Sequence, residues 1–242
     1  MIKKGDWVLL AGEKSYVVQV GDSPFSSQYG QIDVHRLKRT KFGGTVKSHM
    51  GKEFRVLEPR LPDMMRKIKR APQIITPKDA GVIASFCGLN KNDRVVEAGA
   101  GSGALTLFLA GIVKKVYSYE VREDFYKVVK RNLELCGVKN VVLKNRDVTA
   151  GISEKDVDMV VLDMGSPELA VGEARKALKP GGFLVVYSPV LEQVGRARNA
   201  MEGFNFVRTI ELISRDWEIG GNRTRPRTRM LGHTGFLTFG RR

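Results

Sequence analysis

Cysteine is almost missing from this chain: Cys87 and Cys136 are the only two in 242 residues, each on an apolar helical pattern. That excludes a disulfide-stapled scaffold and predicts buried free thiols. Histidine is nearly as scarce, and His35, His49 and His233 lack the spacing of metal ligands, so no metal is expected. No apolar run approaches the length that crosses a bilayer, and the start Met1-Ile2-Lys3-Lys4-Gly5-Asp6 lacks the apolar core of a signal peptide. The chain therefore reads as cytoplasmic, with no membrane partner. Acidic residues are in deficit too: 26 Asp and Glu stand against 41 Lys and Arg, a formal net charge of +15. This excess favours a polyanionic partner, usually nucleic acid, although a lysine-rich thermophilic surface gives the same balance.

What is present is a chain whose character changes near residue 60. Before it, short alternating segments (Trp7–Leu10, Tyr16–Val20, Gln31–Val34, Glu53–Leu57) are separated by glycine and polar turns, which predicts a small antiparallel barrel or sandwich over residues 1–60. Its basic run Arg36, Lys38, Arg39, Lys41 and Lys47 beside Phe42 suits phosphate contact or, equally, a solvated loop. Residues 61–72 read as a linker with a short helix over Leu61–Ile68. Residues 73–242 alternate strands with helices. The strands fall at Arg94–Glu97, Lys115–Glu120, Val141–Lys144, Asp158–Asp163, Gly182–Tyr187, Phe204–Leu212 and Gly235–Phe239. Between them lie helices near Lys78–Cys87, Ala104–Gly111, Arg122–Cys136, Pro167–Leu178 and Leu191–Met201. That order predicts an α/β domain with a mostly parallel sheet, whose last two strands follow one another and pair antiparallel.

The densest chemistry lies in Val95-Val96-Glu97-Ala98-Gly99-Ala100-Gly101-Ser102-Gly103-Ala104-Leu105-Thr106, a buried strand passing into a helix through a loop of glycine and small residues. Such a loop lets a nucleoside ligand approach the main chain and face the free N–H groups of the helix's first turn. Gly99, Gly101 and Ala104 also fit the dinucleotide fingerprint, so a nicotinamide enzyme stays open on this motif alone. Glu97 argues against it, since an acid two residues before the first glycine repels a pyrophosphate and favours a sulfonium ligand bearing an amino group. Glu120 follows the next strand at about the spacing of a ribose-binding carboxylate; a solvated strand end is its alternative.

Glu97-Ala98-Gly99-Ala100-Gly101-Ser102-Gly103 resembles the first motif of class I S-adenosylmethionine-dependent methyltransferases, and Leu178-Lys179-Pro180-Gly181-Gly182 the turn before their fifth strand. Three further segments, Gln73–Asp79, Leu162–Pro167 and Arg225–Leu237, are similar to the tRNA adenine-N1 methyltransferases that modify the T-loop in archaea and bacteria. The likeness covers nearly the whole chain. It implies a Rossmann-like domain with a seven-stranded, mostly parallel sheet bearing one antiparallel strand, a small β-rich amino-terminal domain, S-adenosylmethionine as cofactor, tRNA as partner, and a homotetramer. The target is adenine 58, with adenine 57 left open.

Carried over position by position, the resemblance puts Gly99, Gly101, Ser102, Gly103, Ala104 and Leu105 along the methionine and ribose end of the cofactor, and Glu120 on the ribose hydroxyls. Asp147 would accept the adenine amino group, with a turn cap as its alternative. Phe125 and Val121 would pack on the adenine face, and Gln73 lies in the segment that folds over the cofactor. Asp163 is the catalytic candidate: it ends an apolar strand at the carboxyl edge of the sheet, where ligands of open α/β folds bind. A helix cap before Pro167 is the competing reading.

An adenine stacked inside folded tRNA must be extruded to react. The family often carries Tyr or His before Pro77, where this chain has Thr76, so Tyr187 is the substitute stacking candidate, against a buried strand-end tyrosine. Arg223, Arg225, Arg227 and Arg229 alternate, which in extended chain puts four guanidinium groups on one side for phosphate or for a subunit contact. The rivals are a non-catalytic RNA-binding subunit of the same fold, a nicotinamide oxidoreductase, and a methyltransferase acting on proteins or small molecules.

Overall fold

In the computed structural model, which describes residues 1–69, 74–221 and 223–242, the chain folds as two units, Met1–Ile68 and Lys69–Arg242. The first holds β1 (Trp7–Ala11), β2 (Tyr16–Gln19), β3 (Phe25–Ser27), β4 (Gly30–Ile32), α1 (Val34–Arg39), β5 (Thr45–Lys47), β6 (Glu53–Leu57) and one helical turn, α2 (Leu61–Met64). Four strands pair in the order β2-β1-β6-β5, all antiparallel, while β3 and β4 form a separate hairpin. Alternation supplies the core: Val8, Leu10, Phe54 and Val56 are wholly buried. Two expectations are corrected. Val34 opens a helix rather than ending a strand, because the Asp33 carboxylate accepts the His35 N–H at 2.8 Å and caps it. Arg36, Lys38 and Arg39 therefore stand on α1, not on a loop. The connecting helix is only the turn Leu61–Met64, held where Asp63 accepts the Arg60 N–H at 2.9 Å.

The second unit is built on β7 (Arg94–Ala98), β8 (Lys115–Tyr119), β9 (Val141–Lys144), β10 (Val157–Leu162), β11 (Leu178–Ser188), β12 (Asn205–Glu211) and β15 (Phe236–Arg241). They form one seven-stranded sheet in the order β12-β15-β11-β10-β7-β8-β9. Only β15 runs antiparallel to its neighbours β11 and β12. The helices are α3 (Pro77–Phe86), α4 (Ala104–Ala110), α5 (Glu123–Leu135), α6 (Val171–Ala177) and α7 (Leu191–Ala200). Apolar layers cover both faces: Val96, Val160, Leu162, Leu184 and Val186 on one, Val95, Val116, Met159, Val161 and Val185 on the other. Burial on both sides is why the middle strands read as near-continuous apolar runs.

From β7 the sheet grows outward through β8 to β9 and, in the other direction, through β10 to β11. The order thus reverses between β7 and β10, and the carboxyl ends of those two strands, Ala98 and Leu162, lie in register beside each other. A crevice opens there.

The helix expected over Pro167–Leu178 is a 3₁₀ turn, Pro167–Ala170, followed by α6. Between β12 and β15 stands a hairpin that the sequence pattern does not predict, β13 (Trp217–Gly220) paired with β14 (Arg223–Pro226). Its strands are almost wholly exposed, so no buried face imposes the alternation that reveals a strand. Both cysteines are half-buried free thiols at helix ends rather than fully buried, and burial pushes the Cys87 thiol up to about 12.

Candidate active site

The glycine loop leaves β7 and is suspended from the neighbouring strand: the N–H groups of Gly99 and Ala100 donate to the Tyr119 carbonyl at 2.9 and 3.2 Å. Gly99 adopts φ +88°, and a Cβ on it would stand 1.7 Å from the Asp163 carbonyl oxygen, so the two strand ends meet main chain to main chain. Gly103 then turns the chain into α4 at φ +77°, where a Cβ would press on Val129 at 3.1 Å. L side chains rarely adopt either conformation.

Glu120 is buried, not a solvated strand end. Its carboxylate accepts the Gly101 N–H and the Arg122 N–H, each at 2.9 Å. It braces the loop from beneath, and a carboxylate has lone pairs left for further donors. Asn132 of α5 donates to the Ser102 carbonyl at 2.8 Å. The Ser102 hydroxyl, by contrast, is buried and has no hydrogen-bond partner among the described residues.

Two depressions flank Gly99. One is lined by Ile74, Ile75, Glu97, Gly101, Ser102 and Asp163, with Gly99, Ala100, Ala104 and Leu105. The other is lined by Glu120, Val121, Arg146, Asp147, Val148 and Met164, with Ala98, Gly99 and Tyr119. Polar groups for a methionine end lie on one side, and acids beside apolar surface for a nucleoside lie on the other. The orphaned Ser102 hydroxyl, aimed at no partner among the described residues, fits such a group.

Three carboxylates converge here. Glu97 is fully enclosed, and its Oε2 accepts the hydroxyls of Thr106 at 2.5 Å and Ser118 at 2.7 Å. Burial pushes it up to about 7 against those two bonds, with added repulsion from Asp163 and Glu120. Asp163 is pushed up to about 7 as well, by burial first and then by the charge of Glu120. A cationic ligand relieves this repulsion, whereas a pyrophosphate worsens it. The Glu97 side chain therefore also has a structural duty, tying α4 to β8.

The structure brings Gly99, Gly101, Ser102, Ala104, Leu105 and Asp163 together on one side, and Glu120 and Asp147 on the other. Asp147 serves as a cap too, its Oδ1 accepting the Thr149 N–H at 2.8 Å. Asp163 is not the cap before Pro167, since Ser166 occupies that position. Phe125 does not line either depression; the Arg122 guanidinium lies 3.9 Å over its ring. Thr76 precedes α3 and donates its hydroxyl to buried Asp79 at 2.7 Å. Tyr187 is 1% exposed, its hydroxyl donates to the Thr234 carbonyl, and its ring fills the space beside Gly235. It is a buried strand-end tyrosine.

Arg223 and Arg225 lie on β14, with Arg225 paired to Glu218 at 3.0 Å and Arg227 near Asp216 at 3.9 Å. Gln73 lies outside the described residues. Sequence reasoning missed Ile74, Ile75, Arg146, Val148 and Met164 as lining residues. Their only signal was position, immediately beside Gln73, Thr76, Asp147 and Asp163, which the sequence had already singled out.

Residues 59–224 match the family model described as the tRNA methyltransferase complex GCD14 subunit. The chain belongs to this family. A curated member from Methanocaldococcus jannaschii, named tRNA (adenine(57)-N(1)/adenine(58)-N(1))-methyltransferase TrmI, is 36% identical over 94% of this chain and 91% of its own. A TrmI of Thermus thermophilus, named for adenine 58 alone, is 36% identical over 90% of this chain and 88% of its own. Among solved structures, the tRNA (m1A58) methyltransferase TrmI of Aquifex aeolicus superposes with a TM-score of 0.83 at 29% identity, covering 99% of this chain and 98% of its own. A structure from Thermotoga maritima described as a SAM-dependent O-methyltransferase reaches 0.90 at 32% identity, covering 100% and 94%. The family's Rossmann-like methyltransferase architecture is the one seen here, from the sheet order to the single antiparallel strand. Among the described residues no helix is long and apolar enough to cross a membrane, and no group of His, Cys, Asp and Glu is arranged to hold a metal.

Proposed function

We propose that this chain is a cytoplasmic tRNA methyltransferase that transfers the methyl group of S-adenosylmethionine to N1 of adenine 58 in the T-loop, working as a homo-oligomer. The observation that carries the reading is the placement of Asp163. It directly follows β10 beside the glycine loop, lines the depression suited to the methionine end, and its carboxyl is pushed up to about 7.

Ser102 and the main chain of the loop would hold the methionine end, Glu120 the ribose hydroxyls, and Asp147 with Val121 and Val148 the adenine. The cofactor supplies an electrophilic methyl group on a sulfonium. With the cofactor bound, adenine N1 would attack through a free lone pair, the N–C bond forming as the C–S bond breaks and its electron pair goes to sulfur. No proton need leave before attack. The adenine ring becomes cationic, and the Asp163 carboxylate accepts a hydrogen bond from the N6 amino group, orienting the base and attracting the growing charge. A carboxyl near 7 is also matched to take the N6 proton afterwards. Thr76, Arg223, Arg225 and Arg227 are the candidates for holding the RNA.

The deciding experiment is methyl transfer from labelled S-adenosylmethionine to unmodified tRNA transcript, followed by nucleoside analysis. We expect 1-methyladenosine, with turnover lost by roughly 10² or more in Asp163→Ala while cofactor affinity changes little. Cofactor binding without 1-methyladenosine would move the acceptor to another class, such as a hydroxyl. Equal losses of turnover and affinity would make Asp163 a cofactor ligand only.

A further inference from the structure

We infer that Gln193 is a positioning residue for methyl transfer: from α7 it clamps the loop that carries Asp163 and so fixes where that carboxylate stands. The inference rests on the catalytic reading of Asp163. The Asp163 N–H donates to the Ala98 carbonyl at 2.8 Å, holding the start of the loop to the sheet. β10 ends at Leu162, and from Met164 onward the chain runs free of the sheet. Gly165 follows, and a Cβ there would meet nothing within 4 Å, so the glycine adds freedom that packing does not require.

Gln193, 4% exposed, restrains this segment. Its Nε2 donates to the carbonyls of both Met164 and Gly165 at 2.8 Å. A primary amide has two N–H groups, one for each carbonyl, and the reversed amide would set Oε1 against both, so its orientation is dictated. Arg196, three residues further along α7, donates Nε to the Glu168 carboxylate at 3.0 Å. The helix thus grips the Met164–Glu168 segment at both ends. The Gln193 Oε1 is buried without a partner among the described residues, a desolvation cost that an apolar side chain would avoid. Retaining the amide is explained by its donors. A displacement of about 1 Å at a reacting group is enough to cost on the order of 10² in rate.

The test compares Gln193→Glu, of equal size without the donors, and Gln193→Met, of similar volume, with the parent protein. Readouts are turnover on tRNA, cofactor affinity by calorimetry, and amide hydrogen exchange along the chain. We expect turnover to fall by roughly 30- to 100-fold with cofactor affinity within about two-fold, and exchange to quicken over residues 164–168 but not over the glycine loop. Unchanged turnover with unchanged exchange overturns the clamp, as does a loss of cofactor affinity equal to the loss of turnover. Should the parent protein methylate no tRNA, the proposed substrate fails and the exchange comparison still decides the clamp. Should the Gln193 variants fail to fold, Arg196→Ala carries the test, with quicker exchange at residues 166–168 expected and unchanged exchange counting against it.

Discussion

The carbonyl oxygen of Asp163 occupies the place beside Gly99 where any side chain would begin, 1.7 Å from the position of its Cβ. Strand β7 and strand β10 therefore approach as closely as main chain allows, and the candidate catalytic residue is located by a glycine sixty-odd positions earlier in the sequence.

Gly99→Ala combines a disfavoured positive φ with a backbone collision. We expect it to cost roughly 2–4 kcal/mol of stability and to abolish measurable cofactor binding. Thermal unfolding and calorimetric titration check both, and a variant with parental melting temperature and affinity would mean that the loop moves aside freely.

Glu97 and Asp163 give the ligand-free protein a pH dependence whose sign is set by their raised values of about 7. Folding favours the protonated form of each, so the stability they contribute is full below their unfolded values and is lost as pH rises through about 7. The melting temperature should accordingly fall between about pH 4 and pH 7 and level off above, and Glu97→Gln should flatten that slope. A cationic ligand favours ionised Glu97, so affinity for S-adenosylmethionine should climb over the same interval more steeply than affinity for S-adenosylhomocysteine. Parallel pH profiles for the two ligands would remove the carboxylates from sulfonium recognition.

His233 loses stability in the same pH direction, although its protonated form is the charged one. Its Nδ1 lies 2.6 Å from the Glu211 carboxylate and its Nε2 lies 2.9 Å from the Pro189 carbonyl. Only a doubly protonated ring donates to both acceptors. The Glu211 bond first, and then the Pro189 carbonyl, raise its pKa against a small burial effect and the nearby Lys78 charge. The stability it gives is present below the ordinary histidine value and disappears as pH rises through the raised one. An NMR titration of the His233 ring should find its midpoint above about 6.5, and His233→Gln should lower the melting temperature at acidic but not at alkaline pH.

Replacing Arg225 and Arg227 with Ala should weaken tRNA binding and reduce the salt slope by about one for each phosphate no longer neutralised. Both arginines lie near acids of the same hairpin region, Glu218 and Asp216. Glu218→Gln should therefore strengthen binding if Arg225 meets phosphate, and an unchanged salt slope in the arginine variants would assign the hairpin to another role.

Strands β7, β10 and the second half of β11 were legible because a strand buried on both faces has to be apolar almost throughout, and α4 and α5 because the loops before them carry glycines and acids. The glycine loop, Glu120, Asp147 and Asp163 were legible for a related reason: chemistry at the carboxyl edge of a parallel sheet falls directly after a strand that can itself be recognised. The β13–β14 hairpin was not, since Trp217, Glu218, Ile219 and Gly220 are all exposed and no core enforces a pattern. Nor was α1, where one hydrogen bond from the His35 N–H to Asp33 turned an apparent strand end into a helix.

The sequence by itself determined the alternation of elements, the loop that must be glycine, and the acids that follow the strands, because these depend on local backbone freedom and on which residues tolerate burial. Only the tertiary structure decided that Tyr187 is enclosed, that Glu97 has a packing duty as well as a charge, and that Gln193 reaches the loop beyond Asp163. Each of those outcomes turns on residues far apart in the chain meeting across the sheet or a helix, and no local pattern encodes such a meeting.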